Sequence, residues 1–381
     1  MKTILCFLLG LLTIIVTFAS ASENHYHQFV VRTKSVKRLC KTRNILTVNG
    51  QFPGPTIVAR DGDNMVIKVT NAGPYNISIH WHGFRMLRNP WADGPSYVTQ
   101  WEWFDRDPMS LLRQTQFTGA PPNVSVAYTM NGQPGDLYRC SSQGTVRFQV
   151  YAGETILLRI INSGLNQELF FSIANHRMTV VGMDAAYTKP SNTRVLMIGP
   201  GQTINVLVTA DQPPGRYYMA ARAYQTAMNA AFDNTTTTAI LEYKNRPFSR
   251  PILPVLPAFN DTATSTAFTS RIRGLSKIKV FQNFDVSLLF TVGLGLINCT
   301  NPNSPRCQGP NGTRFAASIN NNSFVLPRTT SLMQAYYQGI WFLHCHIDSH
   351  LNWGLATALL VENGVGPSQS VIPPPPDLPQ C

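Results

Sequence analysis

The chain has 381 residues and a formal net charge of +12, with 13% charged and 44% hydrophobic residues. That apolar share excludes a disordered polypeptide, and the scarcity of charge argues against a helical bundle. The surplus of Lys and Arg forms no block of the kind that grips nucleic acid, so a mildly basic surface suited to acidic polysaccharide, or to nothing in particular, is the plainer reading.

At the start, Lys2, the apolar run Ile4–Phe18 and the small residues Ala19-Ser20-Ala21 have the layout of an export signal over residues 1–21. The run is too short to span a membrane, and no later stretch is long enough either. Asn-x-Ser/Thr sequons at Asn76, Asn123, Asn234, Asn260, Asn298, Asn311 and Asn321 suit a secreted glycoprotein.

The body reads as short strands: Met65–Val69, Ile77–Trp81, Thr145–Tyr151, Ile156–Ile161, Leu169–Ile173, Thr203–Thr209 and Ala239–Tyr243. Turn chemistry separates them at Asn49-Gly50, Pro53-Gly54-Pro55, Asp61-Gly62-Asp63 and Pro213-Pro214-Gly215. The pattern predicts an all-β sandwich or barrel class. It also contains an echo. Gly62-Asp63 leads into alternating apolar residues that close at Asn71, and Gly153-Glu154 leads into a similar run that closes at Asn162. One β-module is read here as used twice. The Pro-rich stretch Pro247–Pro257 predicts a linker, and Pro373–Pro376 a surface tail. Modules are expected over residues 24–100, 101–245 and 256–381, the first lean for a closed sandwich.

Removal of Cys6 with the leader leaves Cys40, Cys140, Cys299, Cys307, Cys345 and Cys381. An oxidising compartment usually pairs an even set. Cys345 sits between two histidines, however, so one of the other five is expected to lack a partner.

Five of the eight histidines fall in two clusters. His80-Trp81-His82-Gly83 ends a predicted strand, where alternation points both imidazoles the same way. His-x-His alone is a weak signal, because strand histidines are more often surface or core residues. The second cluster, His344-Cys345-His346-Ile347-Asp348-Ser349-His350, follows the apolar strand Ile340–Leu343. Alternation sends Cys345 to one face and His344 and His346 to the other, so one strand can serve two metal sites. His350 lies five residues after Cys345 and can curl back towards its metal. A thiolate with imidazoles is the blue-copper donor set. The donor types also suit zinc, but the opposite-face arrangement favours copper centres that exchange electrons.

These residues carry a family resemblance. His80-Trp-His-Gly, Trp91-Ala-Asp-Gly-Pro and His344-Cys-His-Ile-Asp-Ser-His resemble the first and last copper signatures of multicopper oxidases. Glu168-Leu-Phe-Phe-Ser-Ile-Ala-Asn-His, Phe290-Thr-Val-Gly-Leu-Gly, Cys307-Gln-Gly-Pro-Asn-Gly-Thr, Phe315-Ala-Ala-Ser-Ile-Asn-Asn and the Asp377-Leu-Pro-Gln-Cys end resemble the plant laccases. The resemblance covers nearly all of the chain after the leader. It implies an all-β fold of tandem cupredoxin-like Greek-key β-sandwich domains, and secreted monomers that oxidise phenols of the lignin-precursor type one electron at a time while reducing dioxygen to water.

By the same resemblance, Cys345 and His350 bind the type 1 copper and Leu355 occupies its axial position. His80 binds the type 2 copper, and His82, His344 and His346 bind the type 3 pair. An apolar axial residue raises the potential relative to a Met ligand. His176 matches no ligand motif and reads as structural. The pairing implied is Cys40 with Cys140, with Cys299 and Cys307 left to pair with each other. Cys381 loses its partner because Trp101 stands where the family has a cysteine.

The family has four copper signatures, and two are missing. Val98-Thr-Gln100 runs directly into Trp101-Glu-Trp, and Tyr336-Tyr337-Gln338 into Gly339-Ile-Trp-Phe-Leu-His. Domains one and three are therefore expected to be truncated, with about half the copper ligands lost and every centre incomplete. Two readings stand: a laccase-type copper oxidase, or a non-catalytic secreted cupredoxin-like glycoprotein left by splicing or gene decay. A third, an oxidase of ascorbate or of a metal ion, has the laccase-like stretches against it.

Overall fold

The computed structural model describes residues 23–60, 62–82, 86, 88, 93–94, 102–227, 230–245, 249–277, 282–327, 329, 334–335, 338–373 and 376. The expected leader, Trp91, the junction at Gln100 and Trp101, Tyr336 and Tyr337, and Cys381 lie outside the described residues. The chain divides into two compact units, residues 1–35 with 44–77, and residues 36–43 with 78–381.

The smaller unit is built on β1 (Asn24–Arg38), β2 (Lys41–Val48) and β3 (Asn64–Asn71), in sheet order β2-β1-β3. Strands β1 and β3 run parallel, from Asn24 opposite Asn64 to Val31 opposite Asn71. Phe29 and Val31 are buried while Val66 and Val69 are exposed, and among the described residues no second sheet is built from this unit.

The larger unit contains a complete sandwich. A two-stranded ladder joins β4 (Glu102–Trp103) to β5 (Ala127–Tyr128). Then follow β6 (Arg147–Val150), β7 (Thr155–Ile161), β8 (Glu168–Ile173), β9 (Met178–Met183), β10 (Ala186–Thr193), β11 (Val195–Ile198), β12 (Thr203–Thr209), β13 (Arg216–Tyr224) and β14 (Thr236–Tyr243). They form a four-stranded sheet, β10-β9-β12-β7, and a five-stranded sheet, β11-β8-β13-β14-β6. Strands β7 and β12 alternate buried and exposed residues, as a sheet with one wet face requires. Strands β8 and β14 are buried almost throughout, so the five-stranded sheet is covered on both faces. Phe171, Leu196, Ile198 and Leu241 share one face of the five-stranded sheet and join Ile204 and Val206 of β12 in one buried core.

The internal echo is a repeated local device. Gly62 and Gly153 both take positive φ (+93° and +80°) in the turn before the strand. The next carboxylate accepts a backbone N–H three residues back, Asp63 from Arg60 and Glu154 from Tyr151, at 2.7 Å each. The closing asparagine then accepts the N–H two residues ahead, Asn71 from Gly73 at 3.0 Å and Asn162 from Gly164 at 2.9 Å.

The two modules diverge after that point. Leu169–Ile173 becomes part of β8 in the sandwich. Ile77–Trp81, expected as a strand, joins no ladder among the described residues. A strand persists only where a neighbour supplies N–H and C=O groups, and here the Gly94 N–H to the Ile79 carbonyl, 2.8 Å, is the main-chain bond formed.

The Pro-rich stretch also departs from expectation. Ile252 exchanges backbone bonds with Tyr218 (2.9 Å) and Arg216 (3.0 Å) across β13, and Leu256 packs on the core. Prolines at 251 and 254 flank this pairing without interrupting it, since neither has to donate. The helix Thr262–Thr269 continues the segment and buries Phe268 in the same core.

The remainder consists of two hairpins. β15 (Val292–Asn298) pairs with β16 (Thr313–Ile319), and β17 (Ile340–His344) pairs with β18 (Ala356–Leu360), all antiparallel. Val292, Leu294, Leu296, Trp341 and Leu360 are exposed. Bare apolar faces of this kind are the expected result of a sandwich that has lost strands. Disulfides join Cys40 to Cys140 and Cys299 to Cys307, as expected, and Cys345 is a free thiol.

Candidate metal centre

Cys345 follows the last residue of β17, and its N–H is held by the Leu355 carbonyl at 3.0 Å. The chain then turns into the short helix Asp348–Asn352, which brings His350 back. His350 Nδ1 lies 3.7 Å from Cys345 Sγ. Two donors on one metal ion, with sulfur at about 2.3 Å and nitrogen at about 2.0 Å, stand roughly 3.5 Å apart at a tetrahedral angle. The pair therefore fits a shared metal. Leu355 is buried beside it with Ala317 and Ile319, a dry apolar wall with no donor. Burial pushes the Cys345 thiol up, assisted by the negative charge of Glu168, and pushes His350 down. A neutral imidazole is the ligand form, whereas the thiol has to give up its proton to a metal.

The imidazoles on either side of Cys345 face elsewhere. His344 and His346 stack at 6.2 Å between ring centroids, 27° apart in plane. His346 meets His82 edge-on at 5.9 Å, and His82 meets His80 at 5.4 Å. The thiol thus lies beside His350 and its flanking rings beside His82, with the strand ending at His344 and the turn after it setting Cys345 and His346. Neighbours orient the rings. His344 Nδ1 donates to the Cys345 carbonyl at 2.9 Å, and His80 Nδ1 to Asp93 Oδ1 and the Gly94 carbonyl at 3.1 Å each. In each ring the bonded Nδ1 leaves Nε2 as the atom that carries a lone pair, and that of His80 faces His82. His346 is pushed down by burial first and then by the other three imidazoles.

Gly201 supports this group from the sandwich. It has φ +77°, and a Cβ built there would stand 2.3 Å from His346 Cε1, so only glycine leaves room for the ring. Spacing gave no hint of this residue, although Gly199-Pro-Gly marks its turn.

The fit is unequal. Cys345 and His350 suit a mononuclear ion, but the imidazole group does not assemble a cluster: among the described residues no three His, Cys, Asp or Glu side chains converge on one point. His80 Nε2 lies 3.3 Å from His82 Nδ1, the spacing of a hydrogen bond between them. His176 is buried, with Nδ1 donating to the Ala174 carbonyl at 2.7 Å and Nε2 bonded to the Tyr243 hydroxyl at 2.8 Å, the structural role expected of it.

Three family models described as multicopper oxidase match residues 30–103, 96–246 and 306–365. Laccase-3 of Arabidopsis thaliana is 45% identical over 551 residues, covering 96% of each chain. Laccase-13 of the same plant is 42% identical, covering 97% of this chain and 98% of its own length. Both comparisons run over more positions than this chain has residues, so the relatives contain internal segments without a counterpart here. Among solved structures, a laccase from Botrytis aclada has a TM-score of 0.64 at 18% identity, covering 91% of this chain and 89% of that one. A multicopper oxidase that functions in iron import has a TM-score of 0.65 at 16% identity, covering 89% and 90%. The tandem cupredoxin-like architecture is the one shared with these structures.

Proposed function

The chain belongs to the multicopper oxidases, and within them to the plant laccases; from that premise we propose that its reaction class is one-electron oxidation of phenols coupled to reduction of dioxygen, and that this shortened form does not complete it. Cys345 and His350 would hold a single copper ion, with Leu355 the apolar side chain packed beside them, and the bound ion would supply the one-electron acceptor for the phenol. His80 is the remaining type 2 ligand, and His82, His344 and His346 are the remaining type 3 ligands. The observation that carries the second half is the failure of these four imidazoles to converge among the described residues. Four-electron chemistry needs every metal of the cluster at once.

The secreted glycoprotein reading fits the same polypeptide. Six sequon asparagines are exposed, whereas Asn123 is half-buried and accepts from Arg106 at 3.2 Å. The junctions at Gln100–Trp101 and Gln338–Gly339 are the proposed places where the relatives' internal segments are lost. The modules proposed are residues 24–100, 101–245 and 256–381, following a leader over residues 1–21. The protein acts as a monomer in the cell wall, its basic surface suited to acidic polysaccharide.

The test is purified full-length chain loaded with copper, assayed by visible absorbance and phenol-dependent oxygen uptake, beside a version with a relative's two segments restored. The restored chain is expected to consume oxygen and the native one not to. Oxygen uptake by the native chain at the restored chain's rate would overturn the proposal.

A further inference from the structure

Glu102 is an unusual residue for the edge of a small ladder. It opens β4, is 8% exposed, and among the described residues has no cation paired with it. The nearest charges are both acidic, Asp233 and Asp348, and the Tyr128 phenol lies opposite across the β4–β5 ladder. A carboxylate in such a place is costly unless its hydrogen bonds do something.

Those bonds lead towards the thiol. Glu102 Oε2 accepts the N–H of Leu165 at 2.5 Å and of Asn166 at 3.0 Å. The same two residues then hold the start of the ligand-bearing turn. Asp348 N–H donates to the Leu165 carbonyl at 3.0 Å, and Ser349 N–H to Asn166 Oδ1 at 2.9 Å. From there the main chain closes a circuit: Leu355 N–H to the His350 carbonyl at 2.9 Å, and Cys345 N–H to the Leu355 carbonyl at 3.0 Å. Asn162 pins the loop from behind through Gly164, and Leu165 is packed against Phe104 and Leu111. One carboxylate thus governs a loop whose outer side is the seat of residues 348–349.

We propose that Glu102 is a positioning residue for the Cys345–His350 pair: it fixes residues 164–166 so that Leu165 and Asn166 seat the 348–349 turn and set the sulfur-to-nitrogen separation. The role rests on the reading of that pair as a mononuclear metal site. It requires two accepted N–H bonds at one oxygen and no negative charge. Glutamine therefore does the same work and alanine does not.

The experiment uses the full chain as wild type, Glu102→Ala, Glu102→Gln and Asn166→Ala, with two readouts. The first needs no metal: the rate at which iodoacetamide alkylates Cys345, read on its peptide by mass spectrometry. The second is titration with cobalt(II), which does not oxidise a thiolate, followed at the thiolate-to-metal absorption band. Glu102→Ala is expected to speed alkylation about ten-fold and weaken cobalt binding about ten- to hundred-fold, with the band displaced. Glu102→Gln stays within about two-fold of wild type on both, and Asn166→Ala falls between them.

Equal alkylation and equal cobalt affinity in wild type, Glu102→Ala and Asn166→Ala would overturn the proposal, as would a glutamine variant as impaired as the alanine. If circular dichroism shows Glu102→Ala unfolded, Asn166→Ala decides alone, and an unchanged alkylation rate refutes. The two hypotheses separate cleanly. A wild type without a cobalt–thiolate band, but with the alkylation order kept, sinks the metal site and leaves the positioning role. A band of unaltered position and affinity in every variant, with level alkylation, does the reverse.

Discussion

Asn71 and Asn162 perform one task in two settings, which makes them a matched pair. Asn162 is fully buried. Its Nδ2 donates to the Gln167 carbonyl at 2.9 Å and the Ile198 carbonyl at 3.0 Å, while Oδ1 accepts from Gly164. Truncation to alanine strands two carbonyls and one N–H where no water replaces the amide. At about 1 kcal/mol for each bond, Asn162→Ala is expected to cost about 3 kcal/mol. Asn71 makes the equivalent bonds, to the Tyr75 carbonyl at 2.8 Å and from Gly73, but in an exposed position where water takes over. Asn71→Ala should cost less than about 1 kcal/mol. Native-state hydrogen exchange read by mass spectrometry reports each unit through its own peptides, β12 for one substitution and β1 for the other. If the two losses came out equal, or the Asn162 loss fell below about 1 kcal/mol, burial would not be the deciding factor and the reasoning would fail.

Three further outcomes are expected. Burial pushes Glu102 up to about 7 from 4.5, so the folded state holds its proton more tightly than the unfolded state. Stability from this group is full below about pH 4.5 and is lost as pH rises through about 7, by up to about 3 kcal/mol. Urea titrations across that range should show a slope in wild type that is shallower in Glu102→Gln. The variant is compared with wild type because burial also raises Asp348 and Glu168. Removal of the Cys40–Cys140 bridge, which spans 100 residues, should cost about 5 kcal/mol, and removal of Cys299–Cys307, which spans 8, about half that; melting of Cys-to-Ala pairs checks the order. Gly201→Ala should cost about 1–2 kcal/mol from its positive φ, and the new methyl displaces the His346 ring, visible as a changed imidazole signal in NMR spectra.

The sequence carried the middle of the molecule best. Its strands are set by alternation within one chain segment, and each finds its neighbour, so Thr203–Thr209 and Ile156–Ile161 form β12 and β7 nearly as spaced. The strand expected to carry the ligand cluster ends at His344, so Cys345 and His346 are placed by the turn that follows it. Pairing that depends on a distant partner was not legible. Ile77–Trp81 has strand composition but no strand paired with it among the described residues, and Ile252 joins β13 despite the prolines around it. The helix Pro108–Thr118 has a weak apolar period but local start and stop signals: Asp107 accepts the Ser110 N–H at 2.9 Å, proline opens the first turn, and Gly119 closes the helix at φ +62°. Gly201 and Glu102 escaped notice because each acts on a segment far along the chain, and no spacing rule reaches that distance.

The unequal finish of the larger unit has a practical side. Its central sandwich is sealed, while Phe284, Leu288, Leu289, Val325 and Leu343 leave hydrocarbon facing water. Such a molecule is limited by crowding before it is limited by heat. Warmth has to break a well-filled interior, but mere concentration brings sticky surfaces together. Dilution is therefore expected to keep it dispersed better than cooling does.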